Sequence, residues 1–324
     1  MNKGTINTRI IKRSILKHIA RNEIAGTDVG TDYSVLDKTS SPSVLIAAVG
    51  ISSGDAEMAY IRAVNNLATS GAKPEKIMIN IQAGEKVEEQ TLRDMMHFLT
   101  DIVKKQGVVI AGGNTACFGE GDDCTVTITA FGKTDEKVLK QLSDKSRAED
   151  SILMIGDAGH YGASLICKNK NMADRFARSY IEKAIMPDEE RCIAEICDAL
   201  IEGGAHFIHD VSFGGIYRNL VELAEHTGLG VDVLHEKVLI RQDTIEVAEY
   251  CNINPYELLG TGGVTALCHQ ENLERLEDVL HQRGIKYSVA GRLTTEKSRL
   301  VHSEDNKIKR SLNFYEGDEI FKVL

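Results

Sequence analysis

Apolar residues recur along this chain with two periods that take turns. Val44 to Val49 form an unbroken apolar run, Ile77, Ile79 and Ile81 alternate with Met78 and Asn80, and Val126, Ile128 and Ala130 alternate with threonines. All three patterns predict strands. Between them Met58, Ile61, Val64 and Leu67 mark one face of a helix, and Leu92, Met95, Met96, Leu99, Ile102 and Val103 mark another. The first half is thus expected to alternate strand and helix until about Gly132. From Lys133 to Asp150 the chain becomes charged and poor in apolar residues, before Ile152 to Ile155 restart a strand. A domain linker is expected there. Further on, Ile193, Ile196, Cys197, Leu200 and Ile201 carry helical spacing, as do Ile216, Leu220, Leu223 and Ala224, and Leu273, Leu276 and Leu280. Strands are expected near residues 207–208, 264–267 and 285–289. The pattern predicts an α/β (α+β) chain of two domains, 1–135 and 150–324, each a sheet with helices on one or both faces.

Composition narrows the function classes. At 324 residues the chain exceeds what one core usually fills, and its 42% apolar content can fill two. No run approaches the roughly 18 to 20 apolar residues of a membrane span, and Met1 to Arg13 has no apolar signal core. A cytoplasmic protein without a membrane partner is expected. Seven cysteines lie between Cys117 and Cys268 with no CxxC pair, which predicts reduced thiols and no zinc cage. Cys192 and Cys197 are expected to pack on one helix. A net charge of −10 argues against a nucleic-acid partner but not against a nucleotide, which magnesium and backbone amides can hold.

Four segments could carry chemistry. The loop Gly26-Thr-Asp-Val-Gly-Thr-Asp-Tyr-Ser34 brings Asp28 and Asp32 among glycines, suited to a hard cation or equally to a surface turn. Val64-Asn-Asn-Leu-Ala-Thr-Ser-Gly-Ala-Lys-Pro74 reads as a helix ended by Gly71, with Asn65 and Asn66 out of place for propensity. Val108-Val-Ile-Ala-Gly-Gly-Asn-Thr-Ala116 is an apolar strand expected to end at Gly112 and Gly113. There Asn114 and Thr115 could meet a phosphate or metal, or simply close a tight turn. His206-Phe-Ile-His-Asp-Val-Ser-Phe-Gly-Gly215 reads as strand, polar cluster, glycines and helix, with His209, Asp210 and Ser212 at the helix entrance. An N-cap needs only one such polar side chain.

In this order the segments resemble the aminoimidazole-ribonucleotide-synthetase superfamily, over about Asn22 to Thr294. VNNLATSGAKP is similar to the family's VNDLAxxGAxP, AGGNTA to its GGDT or GGET, and HDVSFGG to HDPTRGG and DVSDG; Gly156-Asp-Ala-Gly-His-Tyr-Gly162 is similar to its glycine-rich turn after the linker. The resemblance implies a homodimer whose N-terminal domains join their sheets into a barrel, a C-terminal α/β sandwich, and ATP with Mg2+ between domains. Carried over by position, it implies metal positions at Asp32, Asn66 and Asp210, and nucleotide positions at Gly112, Gly113, Asn114, Thr115, Ser212, Gly214 and Gly215. Asp210 and His209 are the candidates to orient an acceptor hydroxyl or take its proton.

The sequence also departs from the family pattern. Gly50 stands where the family has an acidic residue, Asn66 and Asn114 are neutral, and Phe213 replaces the second aspartate of DVSDG. Amides hold magnesium less well than carboxylates, so a reduced metal set is expected. The segment Glu319 to Leu324 contains no cysteine, and removal of Ile320 to Leu324 is expected to leave turnover within a few-fold. The expected activity is an ATP-dependent small-molecule kinase, with α-ribazole as acceptor in cobalamin lower-ligand salvage. Two alternatives stay open: an ATP-dependent dehydratase of the hydrogenase-maturation type, and a catalytically silent nucleotide-binding protein.

Overall fold

The computed structural model describes residues 8–18, 29–37, 42–305, 307, 309–313 and 317–324. The chain divides into two compact units, one built on residues 32–140 and the other on residues 141–324 together with the N-terminal segment. That segment carries α1 (Thr8–Ser14), whose Lys12 pairs with Glu225.

The N-terminal unit runs β1 (Tyr33–Asp37), β2 (Ser43–Ser53), α2 (Ala56–Ala68), β3 (Lys73–Gly84), α3 (Glu89–Lys105), β4 (Val109–Gly119) and β5 (Cys124–Asp135). Its sheet has the order β1-β2-β5-β3-β4, antiparallel except for the β3–β4 pair, which α3 bridges. Side chains alternate across each strand, so Ile46, Ile77, Ile79, Val126 and Ile128 point to one face and pack with Ala59, Tyr60, Leu67, Leu99 and Val103 of the two helices. Asp55 starts α2 by accepting the Met58 N–H at 2.9 Å. The other sheet face carries Val49, Ile51 and Met78, all exposed.

The charged stretch after β5 contains α4 (Glu136–Leu142). The C-terminal unit continues through β6 (Ser151–Ile155), α5 (His160–Asn169), α6 (Arg178–Ala184), α7 (Ala194–Gly203), β7 (Phe207–Val211), α8 (Gly215–Thr227), β8 (Gly230–Leu234), α9 (Gln242–Cys251), β9 (Gly263–Cys268), α10 (Gln270–Gln282), β10 (Tyr287–Thr294), β11 (Arg299–His302) and β12 (Lys309–Ser311). Its seven strands lie in the order β12-β11-β8-β10-β6-β9-β7. Every residue of β6 and β9 is buried, which a continuous apolar strand requires when both sheet faces are covered.

One expectation fails here, and one feature the sequence did not signal appears. Cys192 lies before α7 and is exposed, whereas Cys197 is buried within it, so the two thiols do not share a helix face. The tail is not peripheral: Ile320 is 4% exposed and belongs to the core that holds Ile166, Phe176 and Leu258. All seven cysteines are free thiols.

Candidate functional site

In the C-terminal unit the chain leaves β7, turns through Ser212, Phe213 and Gly214, and enters α8. Gly215 makes this turn possible. Its φ is +61°, and a Cβ there would lie 2.5 Å from the Tyr256 carbonyl oxygen. The Ser212 carbonyl accepts from the Gly215 N–H at 3.2 Å and from the Gly260 N–H at 3.3 Å, which ties the turn to the glycine loop before β9. Asn219, one turn into α8, donates to the Asp210 carbonyl at 2.7 Å and accepts from the Thr265 hydroxyl at 2.6 Å, fixing the end of β7.

The polar side chains here differ in surroundings. His209 is buried, its Nε2 3.2 Å from Glu222, which also accepts from Arg218 Nε at 2.8 Å. Burial pushes the Glu222 carboxyl up, but the His209 hydrogen bond and the Arg218 guanidinium bring it below its ordinary range. His209 is thus held in a buried polar cluster, while Asp210 is half-buried, its carboxylate within 4.8 Å of a His209 ring nitrogen. The structure brings His209, Asp210, Ser212, Gly214 and Gly215 together on one turn.

Beside the turn lies a small recess walled by Met154, Gly156, Asp157, Val211, Ile216 and Gly260. The glycine-rich turn after β6 forms one side, and its Asp157 pairs with Lys286 at 2.9 Å. His160, buried at the start of α5, is held below its usual value, first by burial and then by nearby Arg241.

The N-terminal unit holds the other positions. Asp32 is half-buried just before β1, and Tyr33 beside it is pushed up to about 12 by burial and by the Asp32 charge. Asp28 lies outside the described residues. Asn65 is buried, and Asn66 donates its amide to the Val49 carbonyl at 2.9 Å, committing Nδ2 to structure. At Gly50 a Cβ would stand 2.1 Å from the Ala59 carbonyl oxygen, so the close packing of α2 on β2 excludes any side chain there.

Gly112, Gly113, Asn114 and Thr115 require a correction. They do not end a strand: β4 runs on to Gly119, pairing Gly113 with Ile79 and Asn114 with Asn80 after a register shift. The glycines serve close approach, since a Cβ on Gly113 would be 1.8 Å from the Ile79 carbonyl oxygen. All four residues are exposed on an edge strand. Two strands separate β4 from β2, roughly 14 Å at ordinary strand spacing, so Asn66 and Asn114 do not meet within the chain.

Sequence reasoning missed Glu222, Asn219 and Asp318. The four-residue spacing of Arg218 and Glu222 was a readable signal. Asp318 had none, although its carboxylate accepts the Gly214 N–H at 2.5 Å from 104 residues away.

Models of the AIR synthase related protein match this chain in two parts, the N-terminal domain over residues 52–134 and the C-terminal domain over residues 147–303. Carbamoyl dehydratase HypE of Azotobacter vinelandii is 23% identical over 248 residues, covering 74% of this chain and 70% of that protein. A HypE–HypF complex superposes with a TM-score of 0.73 at 15% identity, covering 94% of this chain and 99% of that one. An AaThiL structure complexed with AMPPCP and TMP gives 0.64 at 15% identity, covering 89% and 92%. Both superpositions speak for the fold. With both domain models matched in order and the two-unit architecture shared, the chain belongs to the AIR synthase related family.

Proposed function

We propose that this protein is an ATP-dependent small-molecule kinase acting as a homodimer, with α-ribazole as the acceptor to test first. The carrying observation is the β7–α8 turn: a half-buried carboxylate, a hydroxyl and two glycines lie on one turn, whose chain neighbours Val211 and Ile216 help to wall a recess. That arrangement suits a phosphate chain and an acceptor hydroxyl better than a plain helix start, which needs one cap. The ThiL likeness, complexed with a nucleotide analogue, supports the same reading.

Asp210 is a hard oxygen donor, the type Mg2+ takes with water and phosphate oxygens, so it fits that ion; bound, the ion would neutralise phosphate charge, and Asp32 offers the same donor chemistry within its own unit. Glycines at 214 and 215 let phosphate oxygens approach the backbone. Glu222 holds the His209 ring in place, so His209 orients its surroundings while Asp210 faces the reacting groups. Asp210 is the group assigned to align the acceptor hydroxyl.

The test is ADP release by purified protein with ATP, Mg2+ and a panel of nucleosides and vitamin precursors. Acceptor-dependent ADP, highest with α-ribazole, is expected, with ATP binding in the low-to-middle micromolar range, about −7 to −8 kcal/mol. Absence of any thermal shift at millimolar ATP would end the reading. The sequence relatives favour a second one, a dehydratase of the HypE kind. ATP cleavage that ignores every small-molecule acceptor would point there.

A further inference from the structure

The last described segment, residues 317–324, is built into the turn rather than laid over it. Asp318 is buried, and its carboxylate accepts N–H groups from Gly214 at 2.5 Å, Ile320 at 2.8 Å and Leu259 at 3.3 Å. Gly214 opens α8 and has no side chain to cap it; Leu259 opens the glycine loop bonded to Ser212. One carboxylate therefore clamps both strips of backbone. Phe321 stacks on Phe213, ring centroids 5.6 Å apart, so the middle of the turn is also held.

We propose that Asp318 is a positioning residue of the phosphoryl-transfer site, holding the β7–α8 turn against the Leu259–Gly263 loop so that Asp210 and Ser212 keep one geometry. This rests on the kinase reading of the turn. A plain cap is the simpler role, and asparagine would fill it nearly as well. The clamp is more demanding: an asparagine keeps one acceptor oxygen and turns an NH2 toward an N–H donor, so one of the two strips is released.

Burial pushes the Asp318 carboxyl up to about 6, against the pull of its three N–H partners and with a further push from Glu319. The charged groups around it are Glu319 paired with Lys322, Glu257 paired with Arg310, and on α8 Arg218 paired with Glu222. Protonation leaves one oxygen as a hydroxyl, loosening the clamp much as asparagine does.

The test follows the Gly214 and Leu259 amides by NMR in the full-length protein, alongside nucleotide kinetics from pH 5 to 8. In the wild type both resonances should titrate with a midpoint of about 6. Asp318→Asn should speed their hydrogen exchange, raise the KM for ATP roughly ten- to hundredfold with a smaller change in kcat, and abolish the wild-type rise in KM below about pH 6. Wild-type amides that do not titrate overturn the proposal without any variant. So does an Asp318→Asn protein with lowered Tm but unchanged KM, which would leave a cap and no more. If the wild type binds no nucleotide, the kinase reading falls and the proposed site role with it, while the titrating amides still show whether Asp318 clamps the turn.

Discussion

At the scale of single residues, Asp210 and His206 illustrate opposite uses of a polar side chain. Asp210 keeps access to solvent, and Asp210→Asn removes its charge with little change of shape. If that charge acts on the phosphates, kcat/KM for the acceptor should fall by about 2 to 4 kcal/mol of transition-state stabilisation while the unfolding midpoint stays put. A cap alone would give near-normal turnover. His206 is sealed in. Its ring lies parallel to that of His269 at 3.9 Å, and its Nε2 faces Asp150 at 3.4 Å. Parallel rings share no common plane for their nitrogen lone pairs, so they cannot jointly hold a cation as they stand. Burial and the neighbouring His269 push His206 down to about 4, from 6.5. A depressed value means the folded state resists the proton. Its stabilisation is present above about pH 6.5 and is lost as pH falls toward 4. Denaturant unfolding across that window should show the loss, and His206→Gln should flatten it. The sequence made the HDVSFGG cluster legible because those residues are contiguous. Asp318 and the His206–His269 pair were not, since their partners come from distant parts of the chain.

At the scale of elements, the tail and the open sheet face each support a measurable claim. Ile320 is packed among Ile166, Phe176 and Leu258, so Ile320→Ala should cost about 2 to 5 kcal/mol in denaturant unfolding. The burial of the tail was not legible in the sequence, because a short segment without periodicity gives no sign of it. The N-terminal sheet leaves Val49, Ile51 and Met78 exposed on one face, with Val109 and Phe118 on its edge strand. Such apolar surface marks association. Under the homodimer reading, Ile51→Lys should shift the protein to monomer in sedimentation, and an unchanged dimer would place the interface elsewhere. Strand and helix types in the N-terminal unit were legible because its helices bury one face and its strands alternate. The β4 glycines misled, since glycine serves both turns and close strand approach, and sequence does not say which.

At the scale of the whole molecule, order along the chain and order in space differ most around β6. This wholly buried strand sits mid-sheet between β9 and β10, which lie more than a hundred residues further along. During synthesis at about 5 to 20 residues per second, the Ser151–Ile155 segment emerges many seconds before its neighbours exist. Throughout that interval it is an unpaired apolar strand, open to pairing with other nascent chains. Soluble yield should therefore rise when a holding chaperone is supplied or when expression is lowered so that fewer nascent chains coexist, and Met154→Lys should not mimic that rescue, because the same side chain must later pack in the core. The strand that anchors the finished sheet is the one most exposed while the protein is being made.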